Sequence, residues 1–430
     1  MIRSLGLLLI VCSWVAAAWA ATESYGYPFD DPFVATVVGT PEADRARFDV
    51  DVPTKRDSLT IFKDRKVPDF LFYEAKLRYS YALQKKAAPL VFLIAGTGGS
   101  YTGGHISAQA KAFYAAGFHV VSLSSPTVPN FIVAASKTSV TGHAVHDAED
   151  LYHVMELIQT KLLKKTEITD YFVTGYSLGG FNAAFVSLVD EQRKVFNFRR
   201  VLLINPPVSL YNSMSLLDRM LENIPGGVDN FDAYYNGIVS SFGKVYVRAK
   251  RLDLSDDFLY QVYSALHPEN EQLAALIGLT FRFSSAHMVF ASDLMTDYGY
   301  VKPKNLHFTR NTDPGVYRDV VFRLGFTDYF HDYFYPYYKN LDPEIDRHQI
   351  VEAMSLTRIE DYLRNADNIY VMHNRNDLIL EPGEIDFFPR VFGKRAKIYP
   401  TGGHLGNMEY KENVEYMVNV FKSAVTGREL

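Results

Sequence analysis

Gly175-Tyr176-Ser177-Leu178-Gly179-Gly180 follows the apolar run Tyr171-Phe172-Val173 and opens into a helix-forming segment, Phe181 to Val189. That order predicts a strand, a sharp turn carrying a serine, and a helix. A serine held in such a turn sits in strained backbone, so the positions around it must be glycine: a side chain there would collide with the adjoining strand and helix. The pattern G-x-S-x-G is short, and its meaning rests on the chain around it.

Outward from this stretch the pattern is regular. Leu90 to Ala95 and His119 to Leu123 read as short, continuous apolar strands, with a helix from about Ser107 to Ala116 between them. A second helix carries Leu151, Val154, Met155, Ile158 and Leu162 at helical spacing, and the strand Val201 to Ile204 follows the serine unit. Buried strands alternating with amphipathic helices predict an α/β fold with a doubly wound, mostly parallel sheet covered by helices on both faces. Ligands in such sheets bind at the carboxyl ends of the strands. Residues 45–83 give strand-like runs, Ser58 to Phe62 and Leu71 to Leu83, expected as the antiparallel start of the sheet. Residues 21–44, rich in Pro, Asp and aromatics, read as an irregular arm.

Asn205-Pro206-Pro207 breaks the alternation, which resumes at Asn368 to His373. The intervening stretch is too long for a loop and predicts a mainly helical cap, residues 208–365, inserted into a core of 45–207 and 366–430. The cap carries a dense aromatic cluster, Tyr329, Phe330, Tyr333, Phe334, Tyr335, Tyr337 and Tyr338. Ordinary packing of cap on body accounts for such a cluster. It would also serve as an apolar wall over a site that takes acyl or aromatic groups, with Tyr333, Phe334 and, beside the serine, Tyr176 as candidate substrate contacts.

In this setting the Gly175–Gly180 stretch resembles the nucleophile elbow of the α/β-hydrolase superfamily. The resemblance implies an acid and then a histidine further along the chain. Asp377 stands in the turn after the Asn368 to Met372 strand, and His404 lies in Thr401-Gly402-Gly403-His404-Leu405-Gly406 after the strand Ala396 to Tyr399. The spacing from Asp377 to His404 is 27 residues, room for one helix and one strand. On this reading Ser177 is the nucleophile, His404 its base, and Asp377 the carboxylate that fixes the imidazole, with Asp386 and Asp367 as substitutes. The family's oxyanion hole takes one N–H from the residue after the nucleophile, here Leu178. The second comes from the loop after an earlier strand, here Ala95-Gly96-Thr97-Gly98-Gly99-Ser100, with Thr97 first and Gly98 next. Ala95 replaces the histidine common in that loop.

The 430 residues, 48% hydrophobic and 22% charged, are ample for a large core. Arg3, the apolar stretch Leu5 to Ala18 and Ala18-Trp19-Ala20 read as a secretory signal peptide, residues 1–20, with cleavage after Ala20 and a secreted or periplasmic destination. An uncleaved anchor is the competing reading; after cleavage no stable membrane span is expected. The single cysteine, Cys12, lies in this leader, so disulfides and thiolate metal sites are excluded from the remainder. Loss of Arg3 leaves 43 basic against 49 acidic side chains, a poor balance for nucleic-acid binding. The loop at Gly96 lacks a P-loop lysine, and Tyr101 occupies the third glycine position of a dinucleotide fingerprint. His143 and His146, near Asp147 and Glu149, share a helical face and are read as an exposed polar helix start rather than a metal site. No cofactor and no metal are expected.

The expected activity is hydrolysis of a carboxylic ester, with a small-molecule or lipid-like acyl ester as partner. A serine peptidase acting on short peptides is the enzymatic alternative, for which Asp328 and Asp332 could anchor an amino terminus. A non-catalytic binding protein on the same fold is the alternative from another class. Acyl chain length and oligomeric state are not fixed by the sequence.

Overall fold

The computed structural model describes residues 25–224, 226, 227, 230, 233, 234, 236, 237 and 268–428. The leader therefore lies outside the described residues. Eight strands form one sheet: β1 (Lys55–Leu59), β2 (Leu77–Ala82), β3 (Ala88–Ile94), β4 (His119–Leu123), β5 (Ile168–Tyr176), β6 (Arg200–Ile204), β7 (Ile369–Asn374) and β8 (Ala396–Tyr399). Their spatial order is β1-β2-β4-β3-β5-β6-β7-β8. β2 pairs antiparallel with both β1 and β4, and every later pairing is parallel. The central strands are buried on both faces, which is why they read as unbroken apolar runs: Leu90 to Ile94 of β3 have no exposed surface. β3 has β4 on one side and β5 on the other, so the winding reverses there and leaves a crevice at the carboxyl ends of β3 and β5. This order and connectivity are those of the α/β-hydrolase fold.

Helices cover both faces. Ala144–Leu162 (α4) and Leu178–Arg193 (α5) pack together on one, where the short helix Pro129–Ala134 (α3) joins the same core, and Gly104–Ala115 (α2) and the C-terminal helix Lys411–Thr426 lie on the other. On the second face the rings of Phe113, Phe118, Phe172 and Phe421 form one packed group, with Phe113 and Phe421 stacked at 5.0 Å.

Two early segments differ from expectation. Asp69–Glu74 is a 3-10 turn rather than part of a strand: Pro68 stands at its start, and its two buried residues, Leu71 and Glu74, are three apart, at the spacing of a 3-10 turn rather than the alternation of a strand. The arm is not wholly irregular: Pro32–Val38 forms a short helix, α1. Its β-branched residues have poor helix propensity, and the helix is held by Asp31, whose side chain accepts from the N–H groups of Phe33 and Val34, and by Pro32 at its first position.

The insertion leaves the core after β6 and returns before β7. Its ends meet at a neck where Leu210 N–H donates to Met354 O (3.0 Å), Leu356 N–H to Val208 O (2.8 Å) and Ser355 Oγ to Val208 O (2.9 Å). The last piece, Leu356–Asn365, therefore packs on the core, where Tyr362 and Ser187 hydroxyls meet at 2.8 Å. Above the neck lie α6 (Leu210–Arg219), the long helix α7 (Asn270–Thr296), and the run Phe326–Leu341, which passes through a π-helical turn at Phe330–Phe334. Among the described residues α7 is the one helix long and apolar enough to cross a membrane; over half of that apolar window is buried inside the molecule.

Candidate active site

The turn after β5 places Ser177 at φ 54°, ψ −126°, a conformation costly for a residue with a side chain. Its surroundings explain the glycines. A Cβ on Gly175 would lie 2.3 Å from Gly179 O, and one on Gly179 would lie 2.1 Å from Ile94 O, so the strand-to-helix crossing closes only without them. Ser177 N–H donates to Ile204 O (2.8 Å), tying the turn to β6.

His404 reaches Ser177 from the loop after β8. Its Nε2 lies 3.0 Å from Ser177 Oγ, and its Nδ1 lies 3.1 Å from both Asp377 oxygens. All three residues are buried. A carboxylate at Nδ1 keeps the proton on that nitrogen, leaving Nε2 to accept from the serine hydroxyl. Burial by itself raises the Asp377 pKa, but the charge of His404 and its hydrogen bond, with the hydrogen bond from Asn205, outweigh it and hold the carboxyl below its ordinary range. The substitutes Asp386 and Asp367 are solvent-exposed and apart from this group.

Two further residues stand beside Asp377. Asn205, at φ 45° just past β6, donates from Nδ2 to Asp377 Oδ2 (2.8 Å). His373, at the end of β7, accepts the Asn374 N–H on Nδ1 (2.9 Å), so its Nε2 carries the proton donated to Pro206 O (3.0 Å). Its burial lowers its pKa and keeps it neutral behind the carboxylate. Sequence reading assigned neither residue, although both stand at strand carboxyl ends, where functional side chains collect.

The loop after β3 runs directly over the serine: a Cβ on Gly96 would meet the Tyr176 ring at 2.9 Å and Ser177 Cβ at 3.0 Å. Gly98 is removed as a donor, because its N–H already donates to Thr127 Oγ1 (2.8 Å). Among the described residues no group takes up the N–H of Thr97 or of Leu178. Leu178 opens α5, whose first N–H groups are unsatisfied within the helix and sit at its positive end.

A cavity of about 50 Å³ adjoins the serine, lined mainly by apolar side chains including Leu178, Leu210, Met214, Phe281, Phe330 and Phe334. Of the aromatic contacts expected from sequence, Phe334 lines it. Tyr333 does not: it is turned into the cap, hydroxyl 2.6 Å from Thr296 Oγ1 and ring 4.6 Å from Tyr298. Nor does Tyr176, whose ring lies beneath the Gly96 loop against His105 (5.4 Å) and whose burial pushes its phenol up to about 12. Asp328 and Asp332 are exposed, and Asp328 accepts from Gly325 N–H as a helix cap (2.8 Å), so neither reaches the cavity.

His143 and His146 are not an exposed helix start. Their rings stack at 4.0 Å beneath Tyr338 of the cap, and burial lowers the pKa of His143 to about 4. Among the described residues no group of three or more His, Cys, Asp or Glu side chains is arranged to hold a metal ion.

No protein-family model and no curated protein sequence matches the chain. Among solved structures it is similar to Est1E from Butyrivibrio proteoclasticus, at 11% identity over 82% of this chain and 95% of that one, with a TM-score of 0.39. It is also similar to the esterase PF2001 of Pyrococcus furiosus (10% identity, 89% and 96% covered, TM-score 0.39). A third similar structure is the proline iminopeptidase of Mycobacterium smegmatis (12%, 87% and 100% covered, TM-score 0.41).

Proposed function

We propose that the protein is a serine hydrolase that cleaves carboxylic esters through an acyl-enzyme. One observation carries the reading: an unbroken hydrogen-bond relay, Asp377 to His404 to Ser177, ends on a hydroxyl held at positive φ under an apolar cavity. Ser177 Oγ attacks the carbonyl carbon while His404 Nε2 takes its proton. The developing oxyanion lies between the N–H groups of Leu178 and Thr97, at the positive end of α5. Collapse expels the alcohol, which receives the proton from His404. Water then adds to the acyl-Ser177 carbonyl by the same route and releases the acid.

The cavity favours a small acyl group: about 50 Å³ is far below the ~300–1,000 Å³ of sites for drug-sized ligands. Among the described residues its lining has no carboxylate to meet a peptide amino terminus, which weighs against the peptidase reading. Export through residues 1–20 is part of the proposal and rests on the leader sequence.

The test is intact-mass spectrometry after treatment with a fluorophosphonate, beside a folded Ser177→Ala variant. One adduct per wild-type molecule and none on the variant is expected, followed by turnover of short-chain p-nitrophenyl esters. A folded wild type that takes no adduct would leave the non-catalytic binding protein as the better reading.

A further inference from the structure

The arm before the core makes contacts that the relay does not account for. Helix α1 lies against the loop that carries His404. The His404 N–H donates to Thr36 Oγ1 at 2.8 Å, and the Thr36 hydroxyl donates onward to Pro32 O at 2.6 Å. The loop itself is shaped to receive the helix: a Cβ on Gly403 would lie 2.3 Å from Pro32 O, and one on Gly406 would lie 2.1 Å from Ala35 O. Asn376 bridges the same two segments, donating from Nδ2 to Asp30 O (2.9 Å) and accepting the Gly403 N–H on Oδ1 (3.0 Å). Thr40 Oγ1 donates to Gly406 O (2.8 Å). Gly402, Gly403 and Leu405 have φ of 138°, 54° and 69°, so three of the four residues from 402 to 405 hold left-handed or open backbone that local preference does not enforce.

The other side of α1 meets the cap. Asn270, the first residue of α7, donates from Nδ2 to Asp31 Oδ2 (2.8 Å), and Leu273 packs with Val34 and Val38. Further along, α7 supplies Phe281 and Met288 to the cavity and brings Ser284 against Gly98 of the loop over the serine. The arm is thus clamped between the cap and the histidine loop.

We infer that Thr36 is a positioning residue for His404, and that α1 is part of the catalytic apparatus although it lies more than 360 residues from the histidine in sequence. This rests on the proposed hydrolase reading. The serine to histidine contact is a single 3.0 Å hydrogen bond from a loop of unfavourable backbone, and displacement of a catalytic group by about 1 Å is enough to cost roughly 100-fold in rate. The hydroxyl of Thr36 fixes the backbone of the histidine itself. Removing it leaves the substrate cavity unchanged but frees the His404 backbone to shift away from Ser177, so kcat falls and KM stays.

The experiment compares wild type, Thr36→Val and Thr36→Ser in the full chain by rate of fluorophosphonate adduct formation and by kcat and KM on a short p-nitrophenyl ester. Thr36→Val, of the same shape, is expected to lose about tenfold or more in both kcat and adduct rate with KM within about twofold, and Thr36→Ser to recover most of the loss. If Thr36→Val does not fold, Asn376→Ala, which breaks the second tie between arm and loop, takes its place with the same expectation. A wild type that reacts while the folded variant reacts equally fast overturns the inference and leaves the hydrolase reading intact. Loss in KM alone, or equal loss in Thr36→Ser and Thr36→Val, also overturns it. A wild type that forms no adduct defeats the hydrolase reading on which the inference stands.

Discussion

Asp377→Asn tests the relay with the least change of shape. Both carboxylate oxygens lie 3.1 Å from His404 Nδ1, and each has a second donor: Asn205 Nδ2 at Oδ2 (2.8 Å) and the Ile379 N–H at Oδ1 (3.1 Å). An amide presents one oxygen and one NH₂ group, so one of those donors must face another donor. Leaving a buried donor unpaired costs about 1–3 kcal/mol of stability. The catalytic loss is larger. When Ser177 gives up its proton, His404 becomes a cation 3.1 Å from the carboxylate. At an effective dielectric of about 20, that attraction is on the order of 5 kcal/mol, which the amide forfeits. At about 1.4 kcal/mol per tenfold, the expected loss in kcat is roughly 1,000- to 10,000-fold, the size established for the same change in serine proteases. KM should stay within a few-fold, because the cavity is untouched. The assay is steady-state hydrolysis of a short p-nitrophenyl ester, with chemical denaturation to separate stability from rate. A folded variant that keeps more than about a tenth of wild-type kcat would refute the assignment of Asp377.

Thr127→Val leaves the Gly98 N–H without its acceptor and loosens the loop over Ser177; kcat should drop about tenfold, with recovery in Thr127→Ser, read by the same ester kinetics. Phe334→Ala enlarges the cavity at one wall and should move the best p-nitrophenyl ester to a longer acyl chain, at a cost of about 3–5 kcal/mol in stability; an unchanged chain-length profile would take Phe334 out of the acyl site. Asp147 is wholly buried, and burial, with Asp150 adding to it, raises its pKa to about 7. A carboxyl raised on folding contributes stability that is full below its unfolded pKa near 4 and is lost as pH climbs through 7. Its Oδ2 alone accepts the Gly142 N–H and the Thr141 hydroxyl, a role an amide oxygen can fill. Asp147→Asn should therefore be more stable than wild type at pH 8 and no more stable at pH 4, by urea midpoints; an equal difference at both pH values would contradict the reasoning.

The parallel half of the sheet was legible because burial on both faces leaves little room for anything but apolar residues. His119–Leu123, buried at every position, has the same bounds in sequence and structure. β2 was harder: the aromatic run from Leu71 joins a 3-10 turn and a strand, and both present apolar residues at near-alternate positions. Helix α1 was missed because a stretch rich in Pro, Asp and aromatics shows no sustained period, while the signal that settles it, Asp31 before Pro32, lies in capping chemistry rather than in periodicity. The aromatic cluster shows the same limit within one segment. Phe334 faces the cavity and Tyr333 the cap interior, a division set by how the π-helical turn packs against Thr296 and Tyr298, not by residue type.

The candidate site divides in the same way. Ser177, Asp377 and His404 could be found because each follows a recognisable strand, and the fold brings the carboxyl ends of strands together whatever the loops contain. Asn205 and His373 share that placement and could have been found by asking what stands beside the acid. Thr36 could not. It meets His404 only because three glycines open the 402–406 loop to a helix whose own sequence carries no sign of a partner. Strand order supplies the reacting groups, but the distance between Ser177 and His404 is set by a loop held from outside the sheet. A chain with the same sheet and the same three residues, but without the clamp between α1, the loop and α7, would keep the relay's chemistry and lose its geometry. On this reading the arm belongs with the candidate active site rather than with the periphery of the fold.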